Sequence, residues 1–259
     1  MKPVLSILFW IVGCTFVQAT ERQLDLVVGN ATQIQIDSTI LQQQRNVVVH
    51  LPDNYHSSQQ RYPTLYLLDG ERHLNHAVLA TRLYQELNQV PQLIIVAIHN
   101  RPQEDARSHD LYHNRKQFAE FMGKELREYI DARYRTTEDA TLYGHSLAAF
   151  FTVDLLSAHP EYFDRYIAAS PPLQNFAADF YQKLVGQNPM KPKSLYLTMA
   201  SRTAEGDEVF DAYLKFTQLL ENKTPGNLQW TAEVFADQNH ITNYYISFFK
   251  GIGIVFDEH

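Results

Sequence analysis

Residues 144–148, Gly144-His145-Ser146-Leu147-Ala148, set a serine between small residues at the end of a β-branched and aromatic run. A serine so placed either caps the helix that follows or is held up on a sharp bend as a nucleophile. The pattern is a G-x-S-x-A version of the G-x-S-x-G nucleophile elbow, in which strand and helix pass so close that the neighbours two residues away must be small. A nucleophile of this kind needs an acid and then a histidine, in that chain order. Three histidines follow Ser146, namely His159, His240 in "FADQNHITNYY" and the terminal His259, and of these His240 is the candidate. It follows the last expected strand, which suits a general base; a loop or helix-start histidine is the alternative. The acid should follow the preceding strand, where "RTAEGDEV" offers Glu205, Asp207 and Glu208. Glu205 is the first choice and Asp207 the second. Two of the three are expected to serve only as negative charges at a helix N-terminus. Asp237, three residues before His240, is a weaker candidate. An oxyanion needs two backbone donors. Leu147 N–H follows the serine, and Glu71 N–H follows Gly70 in "LYLLDG"; the Asp69-Gly70 pair could otherwise be an ordinary turn.

These residues must be carried by an ordered set of elements. "TQIQID" (32–37) and "RNVVVHLP" (45–52) read as an antiparallel pair. Short apolar runs at 64–70, 93–100, 140–146, 165–170, 194–201 and 229–235 suit strands buried on both faces of a parallel sheet. Phe118, Phe121, Met122, Leu126, Tyr129 and Ile130 share one face of a helix over about 115–134. Val209, Tyr213, Phe216 and Leu220 do the same over about 207–222, and Tyr244 to Phe249 begin a final helix. The result is an α/β doubly wound fold with an antiparallel start. Segment 171–193 is long for a crossover and is expected to roof part of the cleft. "GIGI" at 251–254 is placed after a helix and lacks G-x-G-x-x-G, so no dinucleotide site is expected.

Bulk composition narrows the function. A chain of 259 residues, 45% hydrophobic and 20% charged, suits a single large domain, read here as residues 20–259. A net charge of −7 argues against nucleic acid, which needs a basic face. Residues 1–19 carry one Lys, an apolar run from Val4 to Val17 and a Val-Gln-Ala end, and read as a signal peptide cleaved after Ala19. The expected location is therefore periplasmic or secreted, with no membrane span in the mature chain. Lipidation at Cys14 ranks second. Cys14 is the only cysteine, so the mature domain would have no disulfides. No metal motif is present. His109 with His113, and His73 with His76, are expected to line loops or meet solvent.

"LPDNYHSSQQRYPTLYLLDGERHL", "IIVAIHNRPQEDARSHDL", "LYGHSLAAF", "IAASPPL" and "ADQNH" together resemble, in order, the putative esterase family. That family includes enterochelin-type siderophore esterases, S-formylglutathione hydrolases, feruloyl esterase domains and mycolyltransferases. The resemblance covers roughly 45 to 250. It implies an α/β-hydrolase fold with a mostly parallel central sheet, antiparallel N-terminal strands and helices on both faces. It further implies hydrolysis of a small-molecule ester without a cofactor. Ser146 matches the nucleophile, His240 the base, Glu205 the acid and the "LLDG" loop the oxyanion loop. "RSHDL" resembles an R-x-x-D-L segment near the cleft, so Arg107 and Asp110, with His145 beside the nucleophile, are expected at the substrate. Ala148 stands where the family usually has a second glycine, which bears on rate. The expected activity is a serine carboxylesterase. A siderophore trilactone esterase using an Arg72, Arg101 and Arg107 patch, and an inactive hydrolase-fold binding protein, are the alternatives.

Overall fold

The computed structural model describes residues 19–23, 29–101, 105–186 and 191–257. Residues 1–18, which hold most of the expected signal peptide and Cys14, lie outside these ranges, as does His259. Among the described residues the strands are β1 (Ala19–Gln23), β2 (Ala31–Ser38), β3 (Gln43–His50), β4 (Tyr62–Leu67), β5 (Ile94–Ile98), β6 (Thr136–His145), β7 (Arg165–Ala169), β8 (Lys193–Ala200) and β9 (Leu228–Phe235). They form one sheet in the order β1-β2-β3-β5-β4-β6-β7-β8-β9. The pairs from β1 to β5 are antiparallel, and every pair from β5 through β9 is parallel.

The parallel strands are apolar because both faces are covered. Side chains alternate across the sheet. Tyr66, Val96, Leu142 and Leu197 therefore enter one core, and Leu65, Leu67, Tyr143, Ile167 and Tyr196 enter the other. The second core is closed by α1 (Gly70–Glu86) and by α9 (Asn243–Phe256), through Val78, Phe248 and Ile252. The other helices are, in chain order, α2 (Ala106–Ser108), α3 (Arg115–Glu120), α4 (Arg127–Arg133), α5 (Leu147–Ala158), α6 (Ala177–Gly186), α7 (Arg202–Glu205) and α8 (Asp207–Asn222); of these α3, α4, α5, α6 and α8 close the first core, while α2 and α7 bury no residue. Among the described residues, no helix is long and apolar enough to cross a membrane.

Two expectations change. The helix expected over 115–134 runs from Arg115 to Arg133 with a π-helical turn at Phe121–Leu126 in its middle, the second such turn after one at His109–His113 just ahead of it. Its six apolar positions are all buried as the periodicity requires. The wider second turn coincides with Glu125, which is buried and accepts the Thr39 and Ile40 N–H groups at 2.9 Å each. "GIGI" lies inside α9 rather than after a helix. The reason is packing: a Cβ on Gly251 would sit 2.7 Å from the Tyr196 ring, so glycine lets α9 lie flat on the sheet. Segment 171–193 contains α6, whose Phe180 packs on Phe150 of α5 at 5.4 Å between ring centres.

The strand order dictates where a ligand can go. From β4 the chain moves to β5 on one side, then returns to place β6 on the other side of β4. Such a reversal leaves a crevice at the carboxyl ends of the strands. The loop 68–71 after β4 and Ser146 after β6 both open into it.

Candidate active site

Ser146 follows the last residue of β6 with φ 60° and ψ −125°, a left-handed backbone that a non-glycine residue rarely adopts. Its N–H donates to the Ala169 carbonyl at 2.8 Å, and its own carbonyl accepts from Phe150 N–H at 3.0 Å to start α5. This is not a helix cap. The side chain makes no capping bond, and among the described residues Ser146 Oγ makes no hydrogen bond at all. The hydroxyl is half-buried.

The bend depends on Gly144. A Cβ there would stand 2.3 Å from the Ala148 carbonyl oxygen and 2.6 Å from Thr152 Oγ1. The obstacle is backbone, so α5 itself would have to move. Gly144→Ala is expected to destabilise the fold by about 1–3 kcal/mol, the cost typical of overpacking. A urea unfolding curve with an unchanged midpoint would show that the elbow has room to spare. Ala148 is fully buried and occupies the second small position without conflict.

His240 lies in the turn after β9, and Glu205 ends α7. The structure joins them: His240 Nδ1 and Glu205 Oε2 are 2.8 Å apart. The Glu205 side chain is 3% exposed and the His240 ring 35%. Asp207 points elsewhere. It is exposed and pairs with Arg202 at 2.9 Å, so it is a surface charge at the start of α8. Asp237 and Glu208 are exposed as well.

His145 supplies the link between His240 and the elbow. It was expected at the substrate; instead it is buried, with Nε2 2.8 Å from the His240 carbonyl. The two rings are 4.7 Å apart. Burial, helped by the nearby His240, lowers the His145 pKa to about 3. The ring is therefore neutral and donates Nε2–H to that carbonyl. The residue before Ser146 thus holds the backbone of the residue that carries the second imidazole.

Behind Glu205 runs a buried chain of polar groups that sequence reading missed. Ser170, just past β7 with φ 52°, donates to Glu205 Oε1 at 2.5 Å. Asn243 Nδ2 donates to Ser170 Oγ at 2.7 Å. Ser247 Oγ donates to Asn243 Oδ1 at 3.2 Å and meets Thr198 Oγ1 at 2.6 Å. A serine hydroxyl has one proton. Because Asn243 occupies a lone pair on Ser170, that proton is directed at the Glu205 carboxylate. The "ASPP" tetrapeptide around Ser170 carries no signal for this use.

The loop after β4 is held with similar care. Strand register pairs Leu67 with Tyr143, so Glu71 and Leu147 both stand four residues past a shared rung. The Asp69 carbonyl already takes the Arg72 and His73 N–H groups, which leaves the Gly70 and Glu71 amides ahead of the first intrahelical acceptor. Asp69 adopts φ 51° and is buried, so it is more than a turn residue. Arg107 Nε bonds both its carboxylate oxygens at 2.8 and 2.9 Å. The Arg107 NH2 group donates to the His145 carbonyl at 3.1 Å. Arg107 thus ties the β4 loop to the elbow. Asn100 Oδ1 accepts the Asp69 N–H at 3.0 Å, and its Nδ2 donates to Asp110 at 3.2 Å. Asp110 is buried and pairs with the buried Arg45 at 2.7 Å. Expected at the substrate, Asp110 stands buried behind the loop and props it through Asn100.

The arginine patch is also weaker than its sequence suggests. Arg101 and Arg107 both face Asp69, at 3.9 and 2.8 Å, and one carboxylate offsets part of their charge. Arg72 remains exposed. His73, expected near solvent, is fully buried against Tyr143, His145 and Tyr244, and burial lowers its pKa to about 2.

Comparison with known proteins follows the same line. The family profile described as Putative esterase matches residues 38–234. A search of curated proteins returned no match. Among solved structures, an IroE-like serine hydrolase from Shewanella oneidensis is 23% identical, with TM-score 0.75 over 93% of this chain and 80% of that one. The siderophore hydrolase EstA from Aspergillus nidulans is 19% identical, with TM-score 0.72 over 91% and 97%. The enterobactin esterase FES from Shigella flexneri is 17% identical, with TM-score 0.72 over 87% of this chain and 58% of that one. At these identities the likeness is one of fold.

Proposed function

The chain belongs to the putative esterase family, and from the site its strands build we propose that it is a serine carboxylesterase working through an acyl-enzyme on Ser146. The observation that carries this reading is the Glu205–His240 pair, held by the ring of His145, the neighbour of a strained serine whose Oγ makes no hydrogen bond among the described residues.

The division of labour follows from the bonds. Glu205 accepts from His240 Nδ1, so that nitrogen holds the proton and Nε2 is left as the base. His240 Nε2 takes the Ser146 proton as Oγ attacks the ester carbonyl. The carbonyl electrons move to oxygen, and the Leu147 and Glu71 amides stabilise that charge at the N-termini of α5 and α1. The imidazolium formed on His240 is stabilised by Glu205 and then protonates the leaving alcohol. Water, deprotonated by the same ring, releases the acid and restores Ser146. Arg107 and the Asn100–Asp110–Arg45 chain act by fixing the loop, with no contact to the reacting atoms. Purified protein is expected to hydrolyse p-nitrophenyl acetate and butyrate; folded protein without such turnover would refute the reading.

Ser170 is a positioning residue for Glu205. The Ser170→Gly variant suits its left-handed backbone and removes the hydroxymethyl group that bonds Glu205. It is expected to lower kcat about tenfold, the loss of a charge-assisted hydrogen bond, with KM unchanged. Wild-type kcat in this variant, or a loss that falls on KM instead, would remove Ser170 from the account.

Siderophore esters are a second substrate reading, supported by the fold shared with the Aspergillus and Shigella hydrolases. Two of the three arginines that would meet an anionic ferric complex face Asp69, so simple acyl esters are preferred here. We also propose export to the periplasm or medium, on the composition of residues 1–19. N-terminal sequencing of the exported protein should read from Thr20; a retained Met1 would contradict it.

A further inference from the structure

Two rows of exposed apolar side chains start at the two elements that bracket the scissile bond. On α1, Arg72, His76, Leu79 and Leu83 recur at helical spacing on one face. The first is polar and lies one residue past Glu71. Leu79 is 62% and Leu83 44% exposed among the described residues. On the other side, Ile241 is the residue after His240, and Tyr245 and Phe249 follow at intervals of four. They are 53%, 50% and 41% exposed. Between the rows lies an open groove of about 460 Å³. Apart from His76, every side chain lining it is aliphatic or aromatic. His76 brings no charge, because burial lowers its pKa to about 4. Single exposed apolar residues need no explanation, but a contiguous patch of this kind marks a binding surface.

We infer that the α1–α9 groove receives the acyl chain of a medium- to long-chain ester whose carbonyl sits at Ser146. This rests on the esterase reading and names its substrate class. The His73, His76, Tyr244 and Tyr245 rings fill the space between the starts of α1 and α9, so an occupant that begins between the Glu71 amide and His240 leaves the site over the outer face, past Arg72 of α1 and Ile241 just ahead of α9. The polar residues Arg72 and His76 stand at that end, and the aliphatic ones lie beyond. Helix rise sets the length. From Glu71 to His76 is five residues, about 7–8 Å, and to Leu83 twelve residues, about 18 Å. An extended chain advances about 1.2 Å per bond, by the span of three backbone bonds per residue. The first six or so carbons therefore only cross to the groove. Carbons from about eight to fourteen lie along Leu79, Leu83, Tyr245 and Phe249.

The test is a p-nitrophenyl ester series from acetate to dodecanoate, below micelle-forming concentrations, on the full chain. Wild type should show little gain to hexanoate. Beyond it, kcat/KM should rise about twofold to fourfold per methylene, the value of burying part or all of a CH₂. Leu83→Ser and Leu79→Ser, both at exposed positions, should lower the decanoate-to-acetate ratio at least tenfold. A profile that is flat or falling beyond butyrate, or a ratio unmoved by both substitutions, overturns the inference. So does a dimer that Leu83→Ser dissociates while the profile stays flat, since the face would then bind a second copy. A binding measurement separates this inference from the reading beneath it. The Ser146→Ala protein should take up a fluorescent decanoate analogue, and the added Leu83→Ser change should abolish uptake. Uptake without ester turnover in wild type would keep the groove and sink the hydrolase; acetate turnover without uptake would do the reverse.

Discussion

Ser146→Ala is expected to lower kcat on acetate and butyrate esters by about five to six orders of magnitude, the loss seen when a serine nucleophile is removed from such a site. A residual rate above water should remain, because the Leu147 and Glu71 amides still face any developing oxyanion. The fold should hold. Alanine meets the same left-handed backbone at φ 60° that serine already endures, and the lost Oγ makes no hydrogen bond among the described residues. Burst kinetics and a thermal melt on the same sample check both halves. A variant that retains more than about one per cent of wild-type kcat would place the nucleophile elsewhere.

Glu205→Gln should cost about 10³–10⁴ in kcat, the scale of replacing the triad carboxylate by its amide. The carboxylate does two things that an amide cannot do together. It accepts from His240 Nδ1 on one oxygen and from Ser170 on the other. It also opposes the charge that the imidazole gains. A glutamine in the same position must present its NH₂ to one of the two donors, so one bond is lost or the imidazole turns to its other tautomer. The Asp207→Asn control should stay within about twofold of wild type, because Asp207 is an exposed surface partner of Arg202. Equal losses in both variants would mean that the loop, and not the carboxylate at 205, is what matters. Rates of p-nitrophenyl butyrate turnover decide between these.

How much of this was legible in the residues depends on how local the physics is. The elbow was, because one contact between Gly144 and the Ala148 backbone restricts the residue types over five positions. The parallel strands were, because burial on both faces writes an apolar run whatever the neighbours are. The choice between Glu205 and Asp207 was narrowed but left open. They are two residues apart and chemically alike, and only the turn of α7 into α8 at Gly206, with φ 84°, sends one inward and the other to Arg202. Asp110 is expected at the substrate from the R-x-x-D-L resemblance, and His145 from its place beside Ser146. Three-dimensional packing gives both a supporting contact: Asp110 bonds Arg45, from a strand far away in sequence, and Asn100, while the His145 ring holds the His240 carbonyl. Ser170 and Asn243 are 73 residues apart and meet only because β7 and the start of α9 share a corner of the sheet. No pattern within either segment encodes that meeting.

The most direct measurement of the central claim is fluorophosphonate labelling of the folded chain, followed by peptide mass spectrometry. The account predicts one adduct per chain, carried by the peptide that contains Ser146, slowed in Glu205→Gln and absent from Ser146→Ala. Folded protein that takes no label, or an adduct that survives in Ser146→Ala, would contradict it.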